Sequence, residues 1–241
     1  MAELRRIAIV PARNEAAAIG GVLDELRDFD PALDVVVVDD GSNDRTAALA
    51  ASHGAAVVRL PFNLGIGGAV QTGFKYALEH GYDVAVRLDG DGQHVPAELP
   101  KLLAPVERGE ADIVVGSRFL EGGDGEYRPP IARRAGIRFF ARIVSLLVKQ
   151  RVTDTTSGFQ ALNRRGIALF AADYPHDYPE VEATVMVVKN RLRLVEVPTA
   201  MREREHGTSH INALRSIYYV LKVTLALFVG MFRRGVVPLE E

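Results

Sequence analysis

The sequence contains no cysteine. Disulfides, thiolate metal centres and cysteine nucleophiles are therefore excluded, and the absence fits a reducing compartment. The N-terminus does not read as a secretory leader. "MAELRRIAIVPARNE" has only a five-residue apolar core before Pro11 and no small-residue cleavage pattern. It reads as a first strand, so the chain is expected in the cytosol. There is no long uninterrupted apolar run either. In "INALRSIYYVLKVTLALFVGMFRRG" the apolar core, residues 217–232, is broken by Lys222. At ~1.5 Å per residue it extends about 24 Å, short of a ~30 Å hydrocarbon layer. Arg215, Tyr219, Lys222 and Ala226 share one face, with Arg233 and Arg234 at the end. The expectation is an amphipathic helix lying in a membrane interface, with an ordinary core or oligomer helix as the alternative. No internal repeat or low-complexity tract is present.

Charge of one sign is scarce in each half. Residues 1–126 carry 11 Lys and Arg against 21 Asp and Glu, whereas residues 127–241 carry 18 against 10. The overall charge of −2 conceals an acidic half and a basic half, which suggests a basic face for an anionic partner. "IARRAGIRFFARIVSLLVKQR" holds six basic residues and no acid. Arg134, Arg138 and Arg142 fall at i, i+4 and i+8 on one helical stripe. With 241 residues, 48% of them hydrophobic, the chain is long enough for one large α/β domain or one domain with an appendage.

Short apolar runs alternate with helical patterns along the first half. "RRIAIVPA", "LDVVVVDDGS", "AAVVRL", "YDVAVRLDGDG" and "ADIVVGSRF" read as strands, the second with four β-branched residues in a row. "EAAAIGGVLDELRDF", "NDRTAALAASHG", "GGAVQTGFKYALEHG" and "PAELPKLLAPVERG" read as the helices between them. This order over residues 5–120 predicts a mostly parallel sheet with helices on both faces. Ligands of such sheets bind at the carboxyl ends of the strands. "PARNE", "DDGS", "DGDGQH" and "GSRF" all fall there. After residue 120, "EGGDGEYRPP" reads as a loop, "DTTSGFQALNRRG" as a polar turn and "LRLVEVPTAMRE" as a late strand.

Asp89 and Asp91 in "RLDGDGQH" are the most informative pair. On an extended chain, residues i and i+2 point to the same side, so both carboxylates can aim at one point. Gly90 and Gly92 let the backbone turn and a bulky ligand approach. Hard oxygen ligands with open positions suit Mg²⁺ or Mn²⁺, which take a few carboxylates plus substrate phosphates. Gln93 and His94 are candidates for a further ligand or a supporting contact. In "VDDGSNDRT" a carboxylate can accept hydrogen bonds from a nucleobase or ribose, while Ser42 or Asn43 caps the next helix. "NLGIGGAVQTG" lacks the G-x-G-x-x-G spacing and a preceding tight turn, which argues against a dinucleotide-binding oxidoreductase. Its glycines point instead to close helix packing or backbone approach to a ligand.

"VPARNEA", "VVVVDDGSNDRT", "NLGIGGAVQTGF", "DGDGQH", "GSRF", "DTTSGFQAL" and "REREHGTSH" occur in this order. Together they resemble glycosyltransferase family 2, specifically its dolichyl- and polyprenyl-phosphate sugar synthases, over about residues 5–210. The resemblance implies a glycosyltransferase A-type, Rossmann-like α/β fold with a mostly parallel sheet. It implies a catalytic domain over residues 1–210, with a nucleotide-sugar half at about 1–120 and an acceptor half at about 121–210. Residues 211–241 then form the C-terminal amphipathic helix.

The same resemblance implies a nucleoside-diphosphate sugar donor, a divalent metal and inversion at the anomeric carbon. Pro11, Arg13, Asn14, Glu15, Val38 and Asp40 would hold the nucleoside. Asp89, Gly90, Asp91 and Gln93 would form the metal and diphosphate group. Arg118 resembles the family arginine near the diphosphate and acceptor phosphate. Arg204 and Ser209 match a late phosphate-clamping loop that also includes His210. His210 stands where the synthases usually carry a lysine, and Arg13 where the mannosyl synthases often carry tyrosine, so base and sugar identity are not carried over.

The acceptor implied is a polyprenyl phosphate, which is already ionised at pH 7 and needs no strong general base. Arg118, Arg133 and Arg134 are candidates to hold its phosphate. Asp154 is a candidate to orient the acceptor or an arginine. The chain is expected to sit peripherally on the cytoplasmic face of the membrane, with no nucleic-acid partner and with self-association open. One rival keeps the fold but uses a soluble glycan or hydroxyl acceptor, with Glu180 or Glu182 as general base. The other is a non-catalytic nucleotide-sugar binding module. A nucleotidylyltransferase is disfavoured, because "PARNEAAAIGG" is not its glycine-rich loop.

Overall fold

A computed structural model describes residues 4–121, 131–176 and 179–203. The expected 121–130 loop, the late clamp residues Arg204, Ser209 and His210, and the C-terminal helix lie outside the described residues, apart from Glu121 at the loop's edge. So does the side chain of Arg133.

The apolar runs form a seven-stranded sheet: β1 (Arg6–Ala12), β2 (Asp34–Asp39), β3 (Ala56–Arg59), β4 (Val84–Arg87), β5 (Ile113–Ser117), β6 (Gln160–Asn163) and β7 (Leu194–Pro198). Their spatial order is β3-β2-β1-β4-β6-β5-β7. Every pairing is parallel except those of β6, which runs against both β4 and β5. The mostly parallel α/β architecture follows the expectation, with one correction. Within "DTTSGFQALNRRG", read as a polar turn, "QALN" is a strand that sets Gln160 opposite both Arg87 and Val115.

Period-2 alternation in the strands divides the core between two faces. On one face, Ile7, Ile9 and Val36 meet α3 (Gly65–Glu79), α5 (Ile131–Val148), α6 (Arg164–Ala172) and α7 (Pro179–Lys189). On the other, Ala8, Val10 and Val37 meet α1 (Ile19–Phe29), α2 (Thr46–Ser52) and α4 (Leu99–Glu107). The amphipathic stripe of α1, Ile19, Val22, Leu23 and Leu26, is buried as its spacing predicts. Each such side chain contributes roughly 1.5–3 kcal/mol on burial. Phe74 of α3 packs edge-on against Phe170 of α6, with ring centres 5.2 Å apart.

Close approach of α3 explains part of the glycine-rich segment. A Cβ on Gly67 would lie 2.3 Å from the carbonyl oxygen of Pro175. The outward face of α5 keeps Arg134, Arg138 and Arg142 exposed, together with Phe139 and Leu146. Among the described residues no helix is long and apolar enough to cross a membrane.

Candidate active site

Parallel strands deliver their carboxyl ends to one edge of the sheet, and the polar motifs collect there. The turn after β1 is held in an unusual conformation. Asn14 has φ of 56°, a left-handed value that asparagine tolerates better than most residues. Its N–H donates to Ser42 Oγ at 2.9 Å, and its Oδ1 accepts from the Asn43 N–H at 2.9 Å. The Glu15 N–H donates to Thr46 Oγ1 at 2.9 Å. The turns after β1 and β2 are therefore laced together. This corrects the capping expectation: α2 begins after Arg45 with no side-chain cap, and Ser42 and Asn43 serve the neighbouring turn instead.

These turns frame a cleft of about 360 Å³ lined by Arg13, Glu15, Asp40, Asp89, Asp91 and Glu180, among others. Asp40 Oδ1 accepts the Leu64 N–H at 2.6 Å, which fixes the start of α3 at the cleft rim. The adjacent Asp39 is buried and accepts from the Ser42 N–H at 3.0 Å. The two aspartates of "VVVVDD" thus have different surroundings.

The β4 end carries the acidic pair. The Asp89 N–H donates to His94 Nδ1 at 2.9 Å, which requires that nitrogen to be unprotonated. Burial lowers the His94 pKa, against the opposing pull of Asp89 and Asp91, and its ring lies flat on Phe159 with centres 4.8 Å apart. Asp91 Oδ1 accepts the Gln93 N–H at 3.1 Å and closes a short turn. Asp89 Oδ1 is buried and accepts no hydrogen bond from the described residues. Beneath it, Arg87 is 1% exposed; its Nη2 donates to Glu180 Oε1 at 2.8 Å and lies 3.7 Å from Asp89 Oδ1. Burial lowers the Arg87 pKa, but Tyr174, Glu180 and Asp89 outweigh it and raise the value overall. The cleft lining holds five carboxylates, Glu15, Asp40, Asp89, Asp91 and Glu180, against two guanidinium groups, Arg13 and Arg87. That acidic excess suits a divalent cation beside Asp89 and Asp91. Mg²⁺ and Mn²⁺ need only one or two protein carboxylates when phosphates complete the shell. The orphaned Asp89 oxygen fits such an ion.

A second network stands at the β5 end. Arg118 donates from Nε to Asp154 Oδ2 at 2.7 Å and from Nη2 to Asp154 Oδ1 at 2.8 Å, a two-pronged pair. The Asp154 side chain is 0% exposed and that of Arg118 is 9% exposed. Glu196 of β7 accepts the N–H groups of Thr153 and Asp154, both at 2.9 Å through Oε1, and so holds the turn that carries Asp154. Burial raises the Glu196 pKa despite those bonds.

The family model described as Glycosyl transferase family 2 matches residues 7–169. The chain belongs to that family. Undecaprenyl-phosphate mannosyltransferase of Micrococcus luteus is 35% identical over 217 residues, covering 87% of this chain and 88% of its own length. Polyprenol monophosphomannose synthase of Mycolicibacterium smegmatis is 34% identical, covering 86% of this chain and 81% of its own. Among solved structures, glucosyl-3-phosphoglycerate synthase from Mycobacterium tuberculosis, in complex with Mn²⁺, UDP-glucose and phosphoglyceric acid, superposes with a TM-score of 0.70. It covers 95% of this chain and 79% of its own at 22% identity, a likeness of fold.

This family 2 glycosyltransferase brings seven of the sequence-derived donor-site candidates, Pro11, Arg13, Glu15, Asp40, Asp89, Gly90 and Asp91, to one cleft. Three others are placed differently. The Val38 side chain is wholly buried within β2, Asn14 is spent on lacing the turns, and Gln93 does not line the cleft. The amide nitrogen of Gln93 lies 3.4 Å from the Arg202 carbonyl oxygen. Arg134 is exposed on α5. Glu182 does not line the cleft, whereas Glu180 does. Sequence reasoning passed over Arg87 and Glu196. Each had a signal: a lone charge inside an apolar strand, "VAVRL" and "LVEVP".

Proposed function

We propose that this glycosyltransferase moves a sugar from a nucleoside-diphosphate sugar to a polyprenyl phosphate at a membrane surface, with inversion and with the help of Mg²⁺ or Mn²⁺. The observation that carries the reading is the cleft in which Asp89 and Asp91 meet Arg13, Glu15 and Asp40 at the strand ends. The acceptor class is supported by relatives whose names specify polyprenyl and undecaprenyl phosphate and which align over most of both chains.

In this mechanism Arg13, Glu15 and Asp40 receive the nucleoside, and Asp89 and Asp91 would hold the divalent ion beside the diphosphate. The ion would supply charge neutralisation for the leaving nucleoside diphosphate. Arg118, aligned by Asp154, holds the acceptor phosphate. It stands two strand positions from β4, about 10 Å across the sheet. A phosphate oxygen attacks C1 of the sugar while the bond from C1 to the diphosphate oxygen breaks, which inverts that carbon. The phosphate monoester is already ionised, so positioning and charge complementarity do the work without a general base. The exposed Arg134, Arg138 and Arg142, flanked by Phe139 and Leu146, fit a surface facing anionic lipid.

The test uses purified protein in detergent, Mg²⁺ or Mn²⁺, a panel of labelled nucleotide sugars and undecaprenyl or dolichyl phosphate. Label should enter the organic phase, and Asp91→Asn or a chelator should abolish it. Metal-dependent transfer to a soluble hydroxyl compound, with none to lipid phosphate, would overturn the acceptor assignment.

A further inference from the structure

Arg87 is the largest of the fully buried side chains among the described residues. Its position two residues before Asp89 on an extended chain puts both side chains on the same side. Burying a guanidinium in the middle of a strand costs several kcal/mol unless it is well paired. Here Nη1 donates to Tyr174 Oη at 2.9 Å and Nη2 to Glu180 Oε1 at 2.8 Å, while Nε is buried without a partner among the described residues. Room for the group comes from Gly158, where a Cβ would lie 3.0 Å from Arg87 Nη2 and 3.2 Å from Asp89 Oδ1. An apolar residue at position 87 would pack the strand without these demands, so the arrangement points to a role at the cleft.

Glu180 sits in the first turn of α7, half-buried, and lines the same cleft as Asp89 and Asp91. Arg87 fixes its Oε1, and Oε2 takes no hydrogen bond from the described residues. A carboxylate of this kind is an acceptor for hydroxyl hydrogens. A donor whose diphosphate lies at Asp89 and Asp91, with its nucleoside among Arg13, Glu15 and Asp40, leaves its sugar as the group facing the remaining carboxylate of the cleft.

We propose that Glu180, held in place by Arg87, reads the hydroxyls of the donor sugar, with Arg87 as a positioning residue acting through Glu180. The inference rests on the donor half of the proposed function and is independent of the acceptor.

Titration calorimetry on the full chain with Mn²⁺ tests it, using UDP-glucose, UDP-N-acetylglucosamine and GDP-mannose, each against UDP or GDP alone. Wild-type protein should bind one nucleotide sugar more tightly than its bare nucleotide. Glu180→Ala should erase that gain, about tenfold or more for a charge-assisted hydrogen bond, while leaving bare-nucleotide affinity within about twofold. Glu180→Gln keeps the shape and an acceptor, and should keep part of the gain with an altered ranking of sugars. Arg87→Lys should reproduce the Glu180 effect, and the Glu180 variants decide the matter if it does not fold.

A Glu180→Ala protein that retains the sugar-dependent gain overturns the proposal alone. So does equal loss for nucleotide and nucleotide sugar. In turnover, a fall in kcat at unchanged donor KM, with loss of one limb of the pH profile, would instead make Glu180 a general base. Wild-type protein that binds none of the three sugars more tightly than its nucleotide would overturn this inference, while the donor assignment stands or falls with the transfer assay. Absence of lipid product would leave the inference standing.

Discussion

Asp154→Asn offers a quantitative test of the network at the β5 end. The substitution keeps the shape of the side chain and removes its charge. Arg118, whose side chain is only 9% exposed, then loses the carboxylate that grips it through Nε and Nη2 at 2.7 and 2.8 Å. Breaking a buried pair by removing one partner costs about 3–5 kcal/mol. In a chain of this size 1 kcal/mol shifts Tm by about 2–4 °C, so 3 kcal/mol corresponds to a fall of about 6–12 °C. Thermal melts and urea titrations of Asp154→Asn, Arg118→Met and the double variant would measure it. The double variant should lose less than the sum of the singles by about 1–3 kcal/mol, because the second change removes a cation already stranded. Under the proposed function, residual transfer measured well below Tm should show a raised KM for lipid phosphate. A Tm change under about 2 °C, with additive singles, would refute the reasoning and mean that Arg118 is held by other contacts.

Three further outcomes are expected. Gly158→Ala places a methyl group 3.0 Å from Arg87 Nη2 and 3.2 Å from Asp89 Oδ1, so transfer should fall about tenfold or more, against an overpacking cost of about 1–3 kcal/mol seen in denaturation. Gly67→Ala gains about 1 kcal/mol of helix propensity but drives its Cβ to 2.3 Å from a backbone oxygen that cannot swing away, so urea titration should show a net loss. At Asp112, burial works to raise the carboxyl pKa, yet hydrogen bonds from Arg193 and Asn163 hold it at about 2, below its ordinary 3.8. Its contribution is present above pH 4 and lost as pH falls towards 2; with Arg193 half exposed, it amounts to about 1–2 kcal/mol, and Asp112→Asn should flatten that part of the stability profile between pH 5 and 2.

The strands with strong patterns were legible in the sequence. "IAIV", "VVVV" and "DIVV" announce buried parallel strands, and the stripe of α1 announces its inward face. β6 was not legible, because four residues with a polar member at each end carry little local signal. Its strand state comes from pairing with β4 and β5, which only the folded chain supplies. The capping expectation failed for a related reason. Ser42 has the chemistry of a cap, but its Oγ accepts the Asn14 N–H in the turn after β1, and Asn43 meets that turn through its backbone N–H. The acidic cleft was legible because each motif ends a parallel strand, and parallel strands end on the same edge. The Arg87–Glu180 pair joins residues 93 apart, and no spacing rule connects them.

The position of β6 bears on how the protein can be divided. It lies between β4 and β5, two strands of the first 120 residues, although it comes from residue 160 onward. A fragment ending near residue 120 would keep all five motif-bearing strands of the donor side and still lack the strand that joins two of them. β4 and β5 would each present a row of unpaired N–H and C=O groups, an invitation to pair with another chain. Such a fragment should aggregate rather than bind nucleotide. Splitting the gene at that point, or grafting the front half onto a different acceptor module, should fail at the level of the sheet before any question of chemistry arises.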